Sequence, residues 1–523
     1  MKKFNDFTFS TKPKKPSLTI AKHGLRWIQC GFIWMVLFSP NLSANIETLS
    51  DDHLEPNPEE INPNTLKSLS KLQSLKQLPP AELSPTPFVQ ELPNALQVRT
   101  LFVETHDLPI VDLQLTFHAG SSQDHSLAAG MSGIANIAAR LMPEGTNQYS
   151  AKQLDAAFDA LGAQYNVSAY RDMFIVRLRV LSEPSKLEPA LNLLLHMIKH
   201  ANFNTNGLNL MLSNTKVGQK QLQENPSRLM SIRFYRSVYG NHPYAEPTVG
   251  TQASIKKINP ELLQKFRDSL LVAQNSNIAI TGNLSAEQAT RWANYIATRL
   301  PQGQAAAALP EPLAKQDFDI QFIPHQSSQA YITLGHLSIE QTAADRAALE
   351  VANRIFGGGS FNSILSKELR VKRGYTYSAS STLTTTAKPG IFSFSYSTQQ
   401  DQLMESLQIA HQTYVQFLKI PLTKAQVEET KAGLLRAYPM YFSSNANINA
   451  QIASIGFYGL DRDHLNQYQH TLKKLSVQDV QNAIDKHLHA DKMTVVIVAE
   501  QLNQDEVKNM LKQNLKSAAE SAR

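Results

Sequence analysis

From about residue 95 onward the apolar positions recur with the spacings of strands and helices. Residues 98–104 and 111–117 are β-rich runs, and the Asp107-Leu108-Pro109 turn between them predicts a hairpin. Residues 133–142 put Ile134, Ile137, Ala138 and Leu141 on one face of a helix. Residues 151–161 read as a second helix ended by Gly162 as C-cap. Across 165–181, Phe174, Val176, Leu178 and Val180 alternate as strand residues do. Residues 187–200 form a strongly apolar helical run.

This order then repeats. IAARLMPEGT at 137–146 lies over VANRIFGGGS at 351–360, and GAQYNVSA at 162–169 over GYTYSASS at 374–381. Each is followed by strand, polar turn, strand and long helix, so the chain carries two copies of one unit within the ordinary domain size range. Residues 301–316, rich in Ala, Pro and Gln, read as the linker between them. Strands and helices occur in mixed runs without strict alternation. An α+β fold follows, two homologous domains each with a mainly antiparallel sheet and helices on one face.

The formal charge of +6 over 523 residues suggests a basic protein until it is located. Residues 1–26 hold seven basic residues and one acid, residues 27–44 none, and residues 45–523 balance. A neutral body argues against nucleic acid as the partner, because phosphate binding needs a surplus of cations. The basic stretch is followed by the apolar run WIQCGFIWMVLF and then by Ser39-Pro40 and Ala44. That is the order of a secretory signal with cleavage near Ala44, an uncleaved anchor being the alternative. The run is too short to span a bilayer, and no other segment approaches spanning length. The expected location is periplasmic or secreted. Cys30, the single cysteine, lies inside the signal and is preceded by Trp27-Ile28-Gln29, with no small residue directly ahead of it that would mark lipidation. A mature chain without thiols suits an oxidising compartment and excludes disulfide scaffolds and cysteine zinc sites. Residues 45–94 hold eight of 26 prolines and read as a linker or arm. Leucines at 66, 69, 72, 75 and 78 offer one short helix there.

Three segments carry a resemblance. HAGSSQDHSLAAGMSGIANIAARLMPEGTNQYSAKQLDAAFDALGAQYNVSAYRD, NHPYAEPTVG at 241–250 and FGGGSFNSILSKELRVKRGYTYSAS at 356–380 together resemble the pitrilysin/insulinase family of zinc metallopeptidases, which includes the mitochondrial processing peptidases. The likeness covers roughly 95–510, in order. It implies an N-terminal domain at 95–305, a C-terminal domain at 317–510 and a tail at 511–523, with the two domains α/β-sandwich-like and in a clam-shell arrangement.

Active members of that family carry H-x-x-E-H on the first-half helix: two histidines bind zinc and the glutamate polarises its water. Laid on this chain, the first histidine falls on Asn136, the glutamate on Ala139 and the second histidine on Arg140. The third ligand falls near Val217, with Glu224 the nearest carboxylate about two helical turns away. Asparagine is a poor zinc ligand, alanine has no acid–base chemistry, and arginine brings a fixed cation. The expectation is therefore no metal and no catalytic residue in this chain. An active enzyme with unusual ligands is the outlying alternative. The resemblance also assigns Arg370 and Tyr377 to the substrate-binding pair of the C-terminal domain, with Tyr377 as oxyanion donor and Arg370 as clamp. From spacing alone, Arg370 is a helix-surface cation and Tyr377 a half-buried strand residue. Gly357, Gly358 and Gly359 read as a helix end and tight turn, and His242 as structural. His487 and His489 read as exposed helix-end residues, with a metal pair as the alternative.

The implied function is a non-catalytic, secreted subunit. It would pair as a heterodimer with a homologous zinc-bearing chain and lend Arg370 and Tyr377 to that partner's site for peptides or unfolded protein. The other class of function is a non-enzymatic envelope scaffold or peptide-binding protein on the same fold.

Overall fold

The structure, a computed structural model, describes residues 81–359 and 361–520. The signal segment, the leucine recurrence and most of the proline-rich arm lie outside the described residues.

Two sheets organise the chain. The first contains β1 (Gln90–Glu91), β2 (Thr100–Glu104), β3 (Ile110–Phe117), β4 (Gln164–Ala169), β5 (Phe174–Leu181) and β6 (Ser276–Gly282). The second contains β7 (Asp319–Pro324), β8 (Gln329–Leu337), β9 (Ala379–Thr384), β10 (Ile391–Gln399) and β11 (Thr494–Ala499). Their spatial orders are β1-β2-β6-β3-β5-β4 and β7-β11-β8-β10-β9. Apart from the short β1 the two orders are the same, which is the repeat seen in the sequence. Pairing is antiparallel except at β2–β6 and β7–β11. One expectation fails. Residues 98–104 and 111–117 form strands but not a hairpin, because β6 returns from far along the chain and lies between β2 and β3. Local patterning identifies a strand and says nothing of which strand lies beside it.

The helices that frame the site are α1 (Ile134–Leu141), α2 (Ala151–Ala160), α3 (Pro184–His200), α4 (Thr205–Gln223), α5 (Pro226–Tyr239), α6 (Leu403–Lys419) and α7 (Asn445–Phe457). Along β3, Val111, Leu113, Leu115 and Phe117 point into one core with Ile134, Ile137 and Ala138 of α1 and Leu191, Leu194 and Ile198 of α3. Burying such side chains contributes roughly 1.5–3 kcal/mol each. The matching core of the second sheet takes Ile332, Leu334, Phe392 and Phe394 with Leu407, Ala410 and Tyr414 of α6.

Helices thus line one face of each sheet, as expected. The opposite faces are covered too, by an exchange between the halves. α7, from the C-terminal half, lays Ile448, Ile452 and Ile455 on Leu101, Val103 and Ala279 of the first sheet. Asn449 donates to the Asp112 carbonyl (3.0 Å), and the Arg99 guanidinium donates to the Ile455 carbonyl (3.2 Å) and the Leu460 carbonyl (2.5 Å) at the end of α7. Reciprocally, α5 from the N-terminal half sets Phe234, Val238 and Tyr239 against Ile391 and Val496 of the second sheet. Gly335 on β8 leaves the room: a Cβ there would stand 2.7 Å from the Phe234 ring. The chain between the halves, 300–315, has no regular structure. Among the described residues no helix is long and apolar enough to cross a membrane.

Candidate functional site

The start of α1 is built from sequence-distant parts. Gly133 sits at φ +93°, a left-handed conformation that favours glycine, and turns the chain into the helix. The Asp124 side chain then accepts from the backbone N–H groups of Gly133 (2.7 Å), Ile134 (3.0 Å) and Ala135 (2.9 Å). Three of the donors a helix start leaves without partners are satisfied by one carboxyl. Asp124 is fully buried. Burial pushes its carboxyl up to about 7, against the opposite pull of the three N–H donors. Sequence reasoning missed this residue because it lies outside the helix it caps.

The NHPYAEPTVG segment supports the same corner. The His242 Nδ1 accepts from the Tyr244 N–H (3.1 Å), so Nε2 carries the proton and donates to the Pro310 carbonyl (2.9 Å). Tyr244 donates to buried Asp172, whose other oxygen accepts from Ala387 N–H in the second half (3.0 Å). His242 is structural, as its isolation in the sequence suggests. Gly250 (φ +79°) lies against Gly133; a Cβ on it would stand 2.6 Å from the Ser132 carbonyl oxygen and 3.1 Å from the Gly133 Cα. Gly250→Ala is expected to cost about 3 kcal/mol or more, read as a shift of the urea midpoint. A shift under about 0.5 kcal/mol would show that this corner yields freely.

On α1, Ala139 is buried, Asn136 half-buried and Arg140 at the surface. The Arg140 guanidinium reaches α4 and donates to Thr215 Oγ1 (3.2 Å). Val217, two residues further along α4, is 59 % exposed, and Glu224 is exposed beyond the helix end. Partial covering lowers the guanidinium pKa from its ordinary value, which is high enough to leave the charge in place at neutral pH. The ground on which a metal would link α1 to α4 therefore holds a cation tied to a hydroxyl. These residues do not fit zinc. Among the described residues no group of three or more His, Cys, Asp or Glu side chains is placed to hold a metal ion. His487 instead pairs with Asp345 (2.8 Å), and both His487 and His489 are half-buried rather than exposed. The His489 backbone N–H donates to His336 Nε2 (3.1 Å).

Arg370 and Tyr377 are brought together. The helix Arg346–Asn353 runs on into a π-helical turn, Arg354–Gly358, and Arg370 lies in a second one, Lys367–Val371. Such turns are rare and recur at functional sites. Gly357 and Gly358 thus extend the helix and Gly359 caps it, and a Cβ on Gly357 would stand 2.8 Å from the Ser381 nitrogen. Gly374 at φ +67° reverses the chain, with its N–H on the Arg370 carbonyl (3.1 Å). That reversal returns Tyr377 over Arg370, the ring centroid 4.7 Å from the guanidinium carbon. The Phe361 ring also lies against this guanidinium, its centroid 4.1 Å from the same carbon, a contact the sequence reading did not contain. Tyr377 is 84 % exposed, far from the half-buried strand residue that spacing alone suggests. Glu368, the nearby acid, is taken by Lys372 and Arg373. Among the described residues no hydrogen bond or ion pair engages the Arg370 guanidinium, and none joins this group to Arg140 and Asn136 in the other half.

Family models match two stretches: "Insulinase (Peptidase family M16)" at residues 99–252 and "Peptidase M16 inactive domain" at 257–434. The chain is similar to a Rickettsia felis protein named "uncharacterized zinc protease", 26% identical over 340 residues, 64% of this chain and 79% of that one. It is also similar to a Helicobacter pylori "non-peptidase homolog YmxG", 23% identical over 414 residues, 78% of this chain and 93% of the relative. A crystal structure of a peptidase M16 inactive domain from Pseudomonas fluorescens superimposes with a TM-score of 0.75 at 32% identity, covering 80% of this chain and 99% of that one.

Proposed function

Starting from the fact that the chain belongs to the insulinase (M16) peptidase family as a member of its inactive type, we propose that it is the non-catalytic subunit of a secreted or periplasmic zinc peptidase. It pairs with a homologous zinc-bearing chain, and the two enclose a peptide or unfolded protein. Zinc belongs to the partner. Arg370 and Tyr377 are this chain's contribution.

One observation carries the reading. The two arginines are in opposite states: Arg140 is committed to Thr215 where a metal would sit, while among the described residues no hydrogen bond or ion pair takes the donors of Arg370, which lies against two rings. A guanidinium edge with free N–H groups holds a substrate carbonyl or carboxylate in a fixed plane. The hydroxyl of an exposed tyrosine donates to charge developing on a carbonyl oxygen. Neither group cleaves a peptide bond unaided, so the hydrolytic water must be activated by another chain.

The test mixes the mature chain with its zinc-bearing homologue and follows peptide cleavage and co-elution. Cleavage by the mixture well above either chain alone, with both in one peak, supports the proposal. The second reading, a peptide-binding protein without enzymatic work, draws on the Helicobacter relative's name as a non-peptidase homologue. Peptide binding by this chain with no effect on the homologue's activity would favour it.

A further inference from the structure

Resting on the subunit role just proposed, we infer that Phe361 is the second jaw of the Arg370 clamp and that the clamp selects a peptide carboxylate beside an apolar side chain. The argument starts from the guanidinium plane. The Phe361 and Tyr377 rings both lie within cation–π range of it, their centroids 4.1 and 4.7 Å from the guanidinium carbon, and among the described residues no hydrogen bond or ion pair takes the in-plane N–H groups. A planar rim of donors matches a planar carboxylate, which accepts two parallel N–H bonds; a lysine ammonium has no such rim.

The charge around the clamp points the same way. Residues 367–373 hold four basic side chains, Lys367, Arg370, Lys372 and Arg373, and one acid. That acid, Glu368, is already neutralised by Lys372 and Arg373, so among the described residues no acid pairs with Arg370. The apolar part of the ligand follows from exposure. Phe361 is 61 %, Val371 66 % and Tyr377 84 % exposed, and three large apolar or aromatic side chains in one short segment mark a surface that contacts something. Phe361 acts through Arg370 and is a positioning residue.

The probe is a fluorescein-labelled, N-terminally blocked nonapeptide with a central Glu between leucines and an amidated C-terminus. Its Gln counterpart is prepared both as the amide and as the free acid. Binding to the full chain is read by fluorescence anisotropy. The Glu amide is expected to bind on the order of tenfold tighter than the Gln amide. The Gln free acid then tells whether a terminal carboxylate serves as well as a side chain. Phe361→Ala should weaken the Glu amide about fivefold and the Gln amide distinctly less, so that the preference narrows, with Phe361→Tyr restoring it. Arg370→Lys should abolish the preference. Phe361 is exposed and Arg370 half-buried, and an unchanged thermal midpoint confirms folding. Equal binding of Glu amide, Gln amide and Gln acid overturns the inference, as does a Phe361→Ala chain that discriminates like the parent. If discrimination is absent while Arg370→Ala still silences the mixed peptidase, the inference falls and the subunit role stands. If Arg370→Ala leaves the mixture fully active, the subunit role falls, whatever the peptides do.

Discussion

Arg370→Ala is expected to lower kcat/KM of the mixed peptidase by on the order of 10²–10³-fold, with co-elution of the two chains unchanged. The size follows from what is removed. A charged donor set fixed in one plane both orients the substrate and meets negative charge as it forms, and alanine replaces neither effect. Tyr377→Phe separates the two contributions. It keeps the ring on the guanidinium, 4.7 Å away, and deletes only the hydroxyl. Its loss should appear mainly in kcat, roughly 10–100-fold, because an oxyanion contact strengthens as the transition state forms. Tyr377 is 84 % exposed, and Arg370, half-buried, is not part of either sheet's core, so neither change removes core packing. A mixture that is as active with Arg370→Ala as without it would remove the clamp from the account.

The second large effect is on stability. Asp124→Ala should cost about 3–4 kcal/mol in urea unfolding. It strands the N–H groups of Gly133, Ile134 and Ala135 in a buried place where water cannot replace the carboxyl. Single caps are worth about 1 kcal/mol when exposed. Here one residue serves three donors beneath the core that α1 shares with β3. Asp124→Asn keeps one carbonyl acceptor and should recover about half of the loss. Asp124→Ala within about 0.5 kcal/mol of the parent would mean that these donors find other partners.

Strands and helices were legible wherever their periodicity was strong: β5 from Phe174, Val176, Leu178 and Val180, and α1 from Ile134, Ile137, Ala138 and Leu141. The repeat was legible too, because both halves keep the same order of elements. Partnership was not. Nothing local to 98–117 reveals that β6 lies between β2 and β3, and nothing in α5 or α7 says that each covers the other half's sheet. Those facts are set by which apolar face remains uncovered after each half folds, a property of the whole chain. The same limit hid Asp124, which meets its three donors nine to eleven residues away, outside any helical or strand period.

The case against a metal at Asn136, Ala139 and Arg140 could be argued from residue chemistry once the helix was aligned, since a fixed cation repels a dication, asparagine is a poor zinc ligand and alanine is none. The Thr215 partner was not readable, although a hydroxyl is an ordinary acceptor for a guanidinium on a neighbouring helix. For Arg370 and Tyr377 the resemblance supplied the roles, and Gly374 was the physical cue that the seven-residue spacing folds back on itself. Phe361 carried a weaker signal, a large aromatic in a run of Gly, Ser and Asn where burial does not require one.

The most direct measurement is zinc on each chain of the purified pair, by elemental analysis after mild chelation and separation. If Arg140 holds the ground of the metal, this chain retains no more than trace zinc and cleaves nothing unaided, while the partner retains about one equivalent. Stoichiometric, chelation-resistant zinc on this chain, lost in an Asn136→Ala variant and accompanied by turnover without the partner, would contradict the account at its base.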